Sequence, residues 1–228
     1  MAAMAAAAAS VAGSVGSVAR RRPFLGPSCV LPDAAGNVFF ADAGDLSECT
    51  AGNLAGSVYV AEAPARGAPA GTPPTVRPIL DGGLAYPAAM AWLRTDDLLI
   101  CESFLNRVLR ATRDPATGEW GVRLFARFQQ RFGPTAIAVR RNPRGSWVRE
   151  RCDGDKFSVF VAHSALPSSK SGSSSISEEE ACVLRLTPKG AVAQEFALPG
   201  VRHVTSMALR SEDSVLLTAR DQLLQLDV

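Results

Sequence analysis

The sequence predicts an all-β protein, a β-propeller of four-stranded antiparallel blades, with about four blades in this chain. Two observations carry that expectation. The first is an internal repeat: "GPSCVLPDAAGNVFFADAG" from Gly26, "YPAAMAWLRTDDLLICES" from Tyr86, "GPTAIAVRRNPRGSW" with "FSVFVAHS" from Gly133, and "VTSMALRSEDSVLLTAR" from Val204 share one internal order. The second is the grammar inside each phrase. A Pro or small residue opens a short apolar strand, a polar turn such as "DAAGN", "RTDD" or "RSED" follows, and a second strand of Val, Leu, Ile and Phe returns, as in a β-hairpin. A β-sandwich is also built of short strands and regular turns. The constant order of the phrases, and the spacing of Pro27, Pro87 and Pro134 by 60 and 47 residues, favour blades.

Taken in order, each hairpin is followed by a third strand: "GSVYVAE" at Gly56, "NRVLRAT" at Asn106, "CVLRLTP" at Cys182 and "QLLQLDV" at Gln222. A fourth follows a tight turn in "RDPATGEWGVRLFARF" and in "TPKGAVAQEFALPG", where Gly118 and Gly190 supply the permissive backbone. Four antiparallel strands make one blade. The last phrase stops three strands into its blade, and a bare strand edge invites pairing with another chain. "SVARRRPFL", Ser17 to Leu25, is the candidate to supply that strand; otherwise open edges are expected to drive homo-oligomerisation or binding.

The expected organisation is a disordered or targeting segment over residues 1–22 and a single propeller domain over 23–228, with loop insertions at 140–156 and 164–180. The first insertion is basic and holds Trp147; the second is Ser-rich, and both read as solvated loops. The first 32 residues contain no Asp or Glu and carry Arg20, Arg21 and Arg22 before Pro23. That composition suits an organelle transit segment, so the expectation is an intracellular protein, mitochondrial if the segment is an address and cytoplasmic if it is a plain low-complexity tail.

With 228 residues, 47% hydrophobic and 20% charged, the chain is long and apolar enough for a real core. A net charge of +2, from 24 basic and 22 acidic side chains, offers no field to grip phosphate backbones, so no nucleic-acid partner is expected. No segment has the length and apolarity of a membrane span, so no membrane partner is expected either. The five cysteines, Cys29, Cys49, Cys101, Cys152 and Cys182, are too far apart for zinc or redox motifs and read as reduced structural thiols.

The hairpin phrases resemble the senescence marker protein/gluconolactonase family and its strictosidine synthase-like relatives, over about Gly26 to Val228. The resemblance rests on "GPSCVLPDAAGNVFFADAG", on "LAYPAAMAWLRTDDLLICESFLNRVLR", on "FGPTAIAV" and on "LRLTPKGAVAQEFALPG". It implies a propeller, closed as six blades in that family. In the family's lactonases it also implies a divalent metal in the channel, held by a Glu, by Asn residues and by an Asp. Carried over by position, these ligands fall on Leu25 or Gly26, on Ala88 and on Thr135. Leu, Gly and Ala side chains bring no oxygen and Thr only a neutral hydroxyl, so no metal ligand is expected.

What persists at the strand ends is Asp42, Glu102 and His163, where a propeller presents side chains toward one mouth of its channel. They are the candidate ligand-binding residues and the only catalytic candidates. Glu102, Asn106 and Arg107 also suit a structural hydrogen-bonding role, and His203 has no acidic neighbour in sequence. Nucleophile elbow, phosphate loop and zinc helix are absent. The expected function is a non-catalytic, gluconolactonase-like propeller without cofactor that binds a protein partner or small molecule. The alternatives are a lactonase or esterase using calcium or zinc, or a strictosidine synthase-like condensing enzyme with Glu102 as acid/base.

Overall fold

In the computed structural model the chain is all-β, and the description covers residues 24–45, 47, 50–129, 132–141, 157–165 and 180–228. Four antiparallel sheets follow one another in sequence as the blades of a propeller. The first blade is β1 (Pro27–Pro32), β2 (Val38–Asp42), β3 (Gly56–Glu62) and β4 (Thr75–Leu84), paired in that order. The second is β5 (Pro87–Arg94), β6 (Asp97–Glu102), β7 (Arg107–Arg113) and β8 (Trp120–Arg127), and the third is β9 (Gly133–Arg141), β10 (Phe157–Ser164), β11 (Cys182–Leu186) and β12 (Val192–Ala197). The fourth has three strands, β13 (Ser206–Leu209), β14 (Ser214–Ala219) and β15 (Gln222–Asp227), as the truncated last phrase predicts. The inner strands β1, β5, β9 and β13 lie side by side.

Local sequence explains the hairpins. In "DAAGN" the Asp33 carboxylate accepts hydrogen bonds from the amides of Ala35 (2.8 Å) and Asn37 (2.9 Å), while Gly36 takes the left-handed conformation that closes the turn. Gly118 and Gly190 both have positive φ, as expected of the turns before the fourth strands. At Gly190 space matters as well, since a Cβ would stand 1.9 Å from the Phe125 carbonyl oxygen of the second blade. β4 was not foreseen, because Pro78 interrupts its pattern. An outermost strand has one unpaired edge, and there a Pro costs no ladder hydrogen bond.

The blades are held face to face by three apolar layers. Between the first and second, Phe39, Ala41, Val58 and Val60 meet Met90, Leu98, Ile100 and Leu109. Between the second and third, Leu93, Leu99 and Val108 meet Ile137, Val159 and Val161. Between the third and fourth, Phe160, Ala162 and Val183 meet Met207, Val215 and Leu217. Alternation along each strand sends one set of side chains to the blade before and the other to the blade after, so both faces of a middle blade are buried. That is why β6 and β10 are buried along their whole length, with apolar residues through their middles and polar ones near their ends.

The segment 1–22 and the greater part of each insertion lie outside the described residues, as do Trp147, Cys49 and Cys152. Of the stretch proposed to close the ring, Phe24 and Leu25 are described. Phe24 packs edge-on against Phe40 and Tyr59 of the first blade, at 4.9 and 5.1 Å between ring centroids.

Candidate functional site at the channel mouth

The end of the propeller where inner strands begin and second strands finish gathers most of the sequence-predicted polar residues. In register, Pro27 pairs with Asp42, Pro87 with Glu102 and Pro134 with His163. Each pairing is followed by a bulge that lifts the next inner-strand residue, Ser28, Ala88 or Thr135, out of the ladder. The three strand-end candidates are therefore structurally equivalent, one in each of the first three blades. They do not converge: each is sealed inside its own blade, with Asp42 and His163 1% exposed and Glu102 0%.

What surrounds them differs from blade to blade. The Asp42 carboxylate accepts hydrogen bonds from the amides of Gly26 (2.7 Å), Gly44 (3.1 Å) and Leu25 (3.3 Å), and so clamps the chain as it enters the first blade. Glu102 does the same for the second blade through the Ala85 amide (2.8 Å). Its other oxygen is ion-paired with Arg107 Nε at 2.5 Å, itself nearly buried. In the third blade the Phe132 amide donates to the Ser164 carbonyl, and His163 lies edge-on against Phe128 with ring centroids 4.8 Å apart. Across the ladder the partners of the three residues are Ser57, Arg107 and Cys182.

The bulged residues link one blade to the next. Ser28 donates its hydroxyl to the Pro87 carbonyl, and Thr135 donates to the Val204 carbonyl at 2.7 Å. Between them stands Ala88, which has no hydroxyl, and there Ser103 donates instead to the Pro134 carbonyl at 2.7 Å. Three hydroxyl-to-carbonyl bonds thus run from blade to blade around the mouth. Buried carbonyls left without such a donor would each cost on the order of 1–3 kcal/mol.

Two positions matched by resemblance to metal ligands, Leu25 or Gly26 and Ala88, bring no side-chain oxygen, and the Thr135 hydroxyl is already committed to Val204. Among the described residues no group of three or more His, Cys, Asp or Glu side chains is placed to hold a metal ion. A hard divalent cation prefers six or more oxygens, several of them charged, and the described residues of this mouth do not fit one. Thiols nearby are not activated: burial pushes Cys29 up to about 11 and Cys101 well above its ordinary value.

Sequence reasoning missed the aromatic rim of the mouth. Tyr86 stacks on Phe104 at 5.0 Å, and Phe104 meets Phe132 edge-on at 5.7 Å, all three half-buried. Tyr86 holds a positive φ of 56° that glycine adopts more easily, and the equivalent residues in the first and third blades, Gly26 and Gly133, are both glycine. A Tyr in place of a repeat glycine was the available signal. His203 is exposed and immediately precedes Val204, whose carbonyl accepts from Thr135.

No protein-family model matches the chain, and no curated protein sequence matches it. Solved structures do. A gluconolactonase from Xanthomonas campestris superposes with a TM-score of 0.59 at 16% identity, covering 94% of this chain and 60% of that one. A luciferin-regenerating enzyme gives 0.55 at 15% identity, covering 85% and 53%, and regucalcin from Agrobacterium tumefaciens, described as calcium-binding, gives 0.51 at 14% over the same shares. The chain spans less than two thirds of the length of these structures. By fold, it is a β-propeller similar to these structures. No helix of the described residues is long and apolar enough to cross a membrane.

Proposed function

We propose that this chain is a gluconolactonase-like propeller that works by binding a protein partner or small ligand, and not by metal-dependent lactone hydrolysis. One observation carries the reading. The acidic side chains best placed to serve the mouth, Asp42 and Glu102, spend their oxygens on the amides of the entering chain and on Arg107. A carboxylate so engaged cannot also hold a cation or attack a carbonyl without releasing the crossover it anchors. Asp42, Glu102 and His163 then act on a ligand by framing the mouth, and the contact surface is the Tyr86, Phe104 and Phe132 rim. Half-buried aromatic rings suit a planar or apolar ligand group.

Purified protein is assayed against sugar and aromatic lactones with calcium, zinc, manganese or magnesium, and its melting temperature is followed with each metal. The expected result is no hydrolysis above background and no metal-dependent rise in melting temperature, since only a ligand that binds the native state stabilises it. EDTA-sensitive turnover abolished by Asp42→Asn or Glu102→Gln would overturn the reading in favour of a rearranged hydrolase. Metal-free condensation of an amine with an aldehyde, lost in Glu102→Gln, would move it to the condensing enzymes.

A further inference from the structure

The two end blades face outward with different chemistry. Every blade of this repeat has one face that receives the preceding blade. In the second blade that face consists of Met90, Leu98, Ile100, Leu109 and Ala111, all packed against the first blade. By register the same places in the first blade are Val30, Val38, Phe40, Tyr59 and Ala61, with Val76 and Pro78 continuing the face onto β4. No described blade covers them: Val30 is 67% exposed, Val38, Val76 and Pro78 are exposed, and Phe40 and Tyr59 are half-buried beneath Phe24. None of these residues is charged.

The fourth blade ends in the opposite way. Its onward face corresponds to the one on which the third blade places Ala136, Ala138, Phe160, Ala162 and Val183 against its neighbour. In the fourth blade those places are Ser206, Ala208, Leu216, Thr218 and Leu223, continued by Gln225 and Asp227. Gln225 bonds to Asp227 at 3.2 Å and accepts from Arg210, and Thr218 bonds to Thr205 at 2.8 Å. That face carries charge and has its polar groups paired along the sheet, whereas the first blade's face keeps the composition of an interblade layer.

We propose that the outer face of the first blade is a homodimer interface, on which a second copy of this chain packs the same face about a two-fold axis. Charge distribution selects this occupant. Among the described residues, apposing the first-blade face to itself brings no charges together, whereas apposing it to the fourth-blade face of another copy would bury Arg210 and Asp227 against hydrocarbon, a cost of several kcal/mol per unpaired ion. A two-fold contact uses the apolar face in both copies and leaves only the polar faces outward, so the assembly closes at two. Two sheets packed this way interdigitate about 10 Å apart. Four strands about 20 Å long and 4.8 Å apart present a flat area on the order of 400 Å². That is less than the roughly 800 Å² per partner of a standard interface, and places the dimer at the weak, concentration-dependent end.

The proposal rests on the reading of this chain as a binding propeller, but a dimer is detected whether or not lactones are hydrolysed, so the two fail separately. Sedimentation velocity of the full chain is run across about 5–200 μM, a range that brackets micromolar association. The expected result is a monomer–dimer equilibrium that Val30→Asp weakens by about tenfold or more and Leu223→Asp leaves unchanged. Val76→Asp, at an exposed site on the outermost strand, guards against misfolding by the first variant and is expected to weaken the dimer likewise. A full chain that stays monomeric throughout the range would overturn the proposal, whether its own first 22 residues or another protein covers the face. So would a dimer sensitive to Leu223→Asp and indifferent to Val30→Asp and Val76→Asp.

Discussion

Glu102 in the second blade and His163 in the third occupy the same place in the repeat, yet they solve different problems. At Glu102 the entering chain is held by a carboxylate whose other oxygen is ion-paired with Arg107 from the next strand. At His163 the entering chain is held by the Ser164 carbonyl, and the imidazole packs edge-on against Phe128. What the repeat conserves is thus the anchoring of each crossover and not a chemical group. A row of polar residues at one mouth looks like a ligand site in sequence, although Asp42 and Glu102 each anchor the chain entering their own blade.

Changing the charge of the second blade alone tests that contrast most strongly. Glu102→Gln keeps an acceptor for the Ala85 amide but strands Arg107 without its counter-ion, and a loss of roughly 3–5 kcal/mol is expected in urea unfolding. Among the described residues the Asp42 carboxylate of the first blade is held by backbone amides and no cation, so Asp42→Asn is expected to lose only about 1–3 kcal/mol by the same measurement. A loss at Asp42 equal to that at Glu102 would show that the ion pair adds nothing to the anchoring.

The partly buried ion pair of Asp97 and Arg110, also in the second blade, sharpens the comparison through pH. Burial of Asp97 works to raise its pKa, but hydrogen bonds from Arg110 (2.6 and 2.9 Å) and Thr112 (2.7 Å) outweigh it and hold the carboxyl below the usual range. A folded value below the unfolded one means stability present above about pH 4 and lost as pH falls through the folded value. Asp97→Asn is therefore expected to flatten the acid limb of the stability profile below about pH 4 while lowering stability near neutrality by roughly 1–3 kcal/mol. An acid limb as steep as that of the parent would dismiss Asp97 as its source.

The smallest effect concerns the hydroxyl links. Ser103→Ala is expected to cost about 1–2 kcal/mol by leaving the Pro134 carbonyl without its donor. Ser28 and Thr135 bond the next blade from the position that Ala88 holds in the second. Ala88→Ser in the Ser103→Ala background should consequently recover most of the loss, and a double variant no more stable than the single one would break the equivalence of the three blades.

Much of the fold was legible because period-two patterning and turn chemistry are local. The turn at "DAAGN" is closed by Asp33 and Gly36 from within five residues, and the third strands at Gly56, Arg107, Cys182 and Gln222 lie where their Val and Leu alternation put them. β4 was hidden because the free edge that tolerates Pro78 is a property of the assembled sheet. The candidate site was legible as positions, Asp42, Glu102 and His163 being equivalent in register, but its chemistry was not. Whether an Asp oxygen meets water, a cation or a backbone amide is decided by which distant segment packs over it, here Leu25 and Gly26 over Asp42 and Ala85 over Glu102. The sequence alone determined where strands begin, which way side chains alternate and how many blades they make, since those follow from interactions between near neighbours. Tertiary structure alone decided which of these faces is covered among the described residues, Val30 and Val38 lying exposed where Met90 and Leu98 of the second blade are buried, because a face is buried only by the element packed upon it.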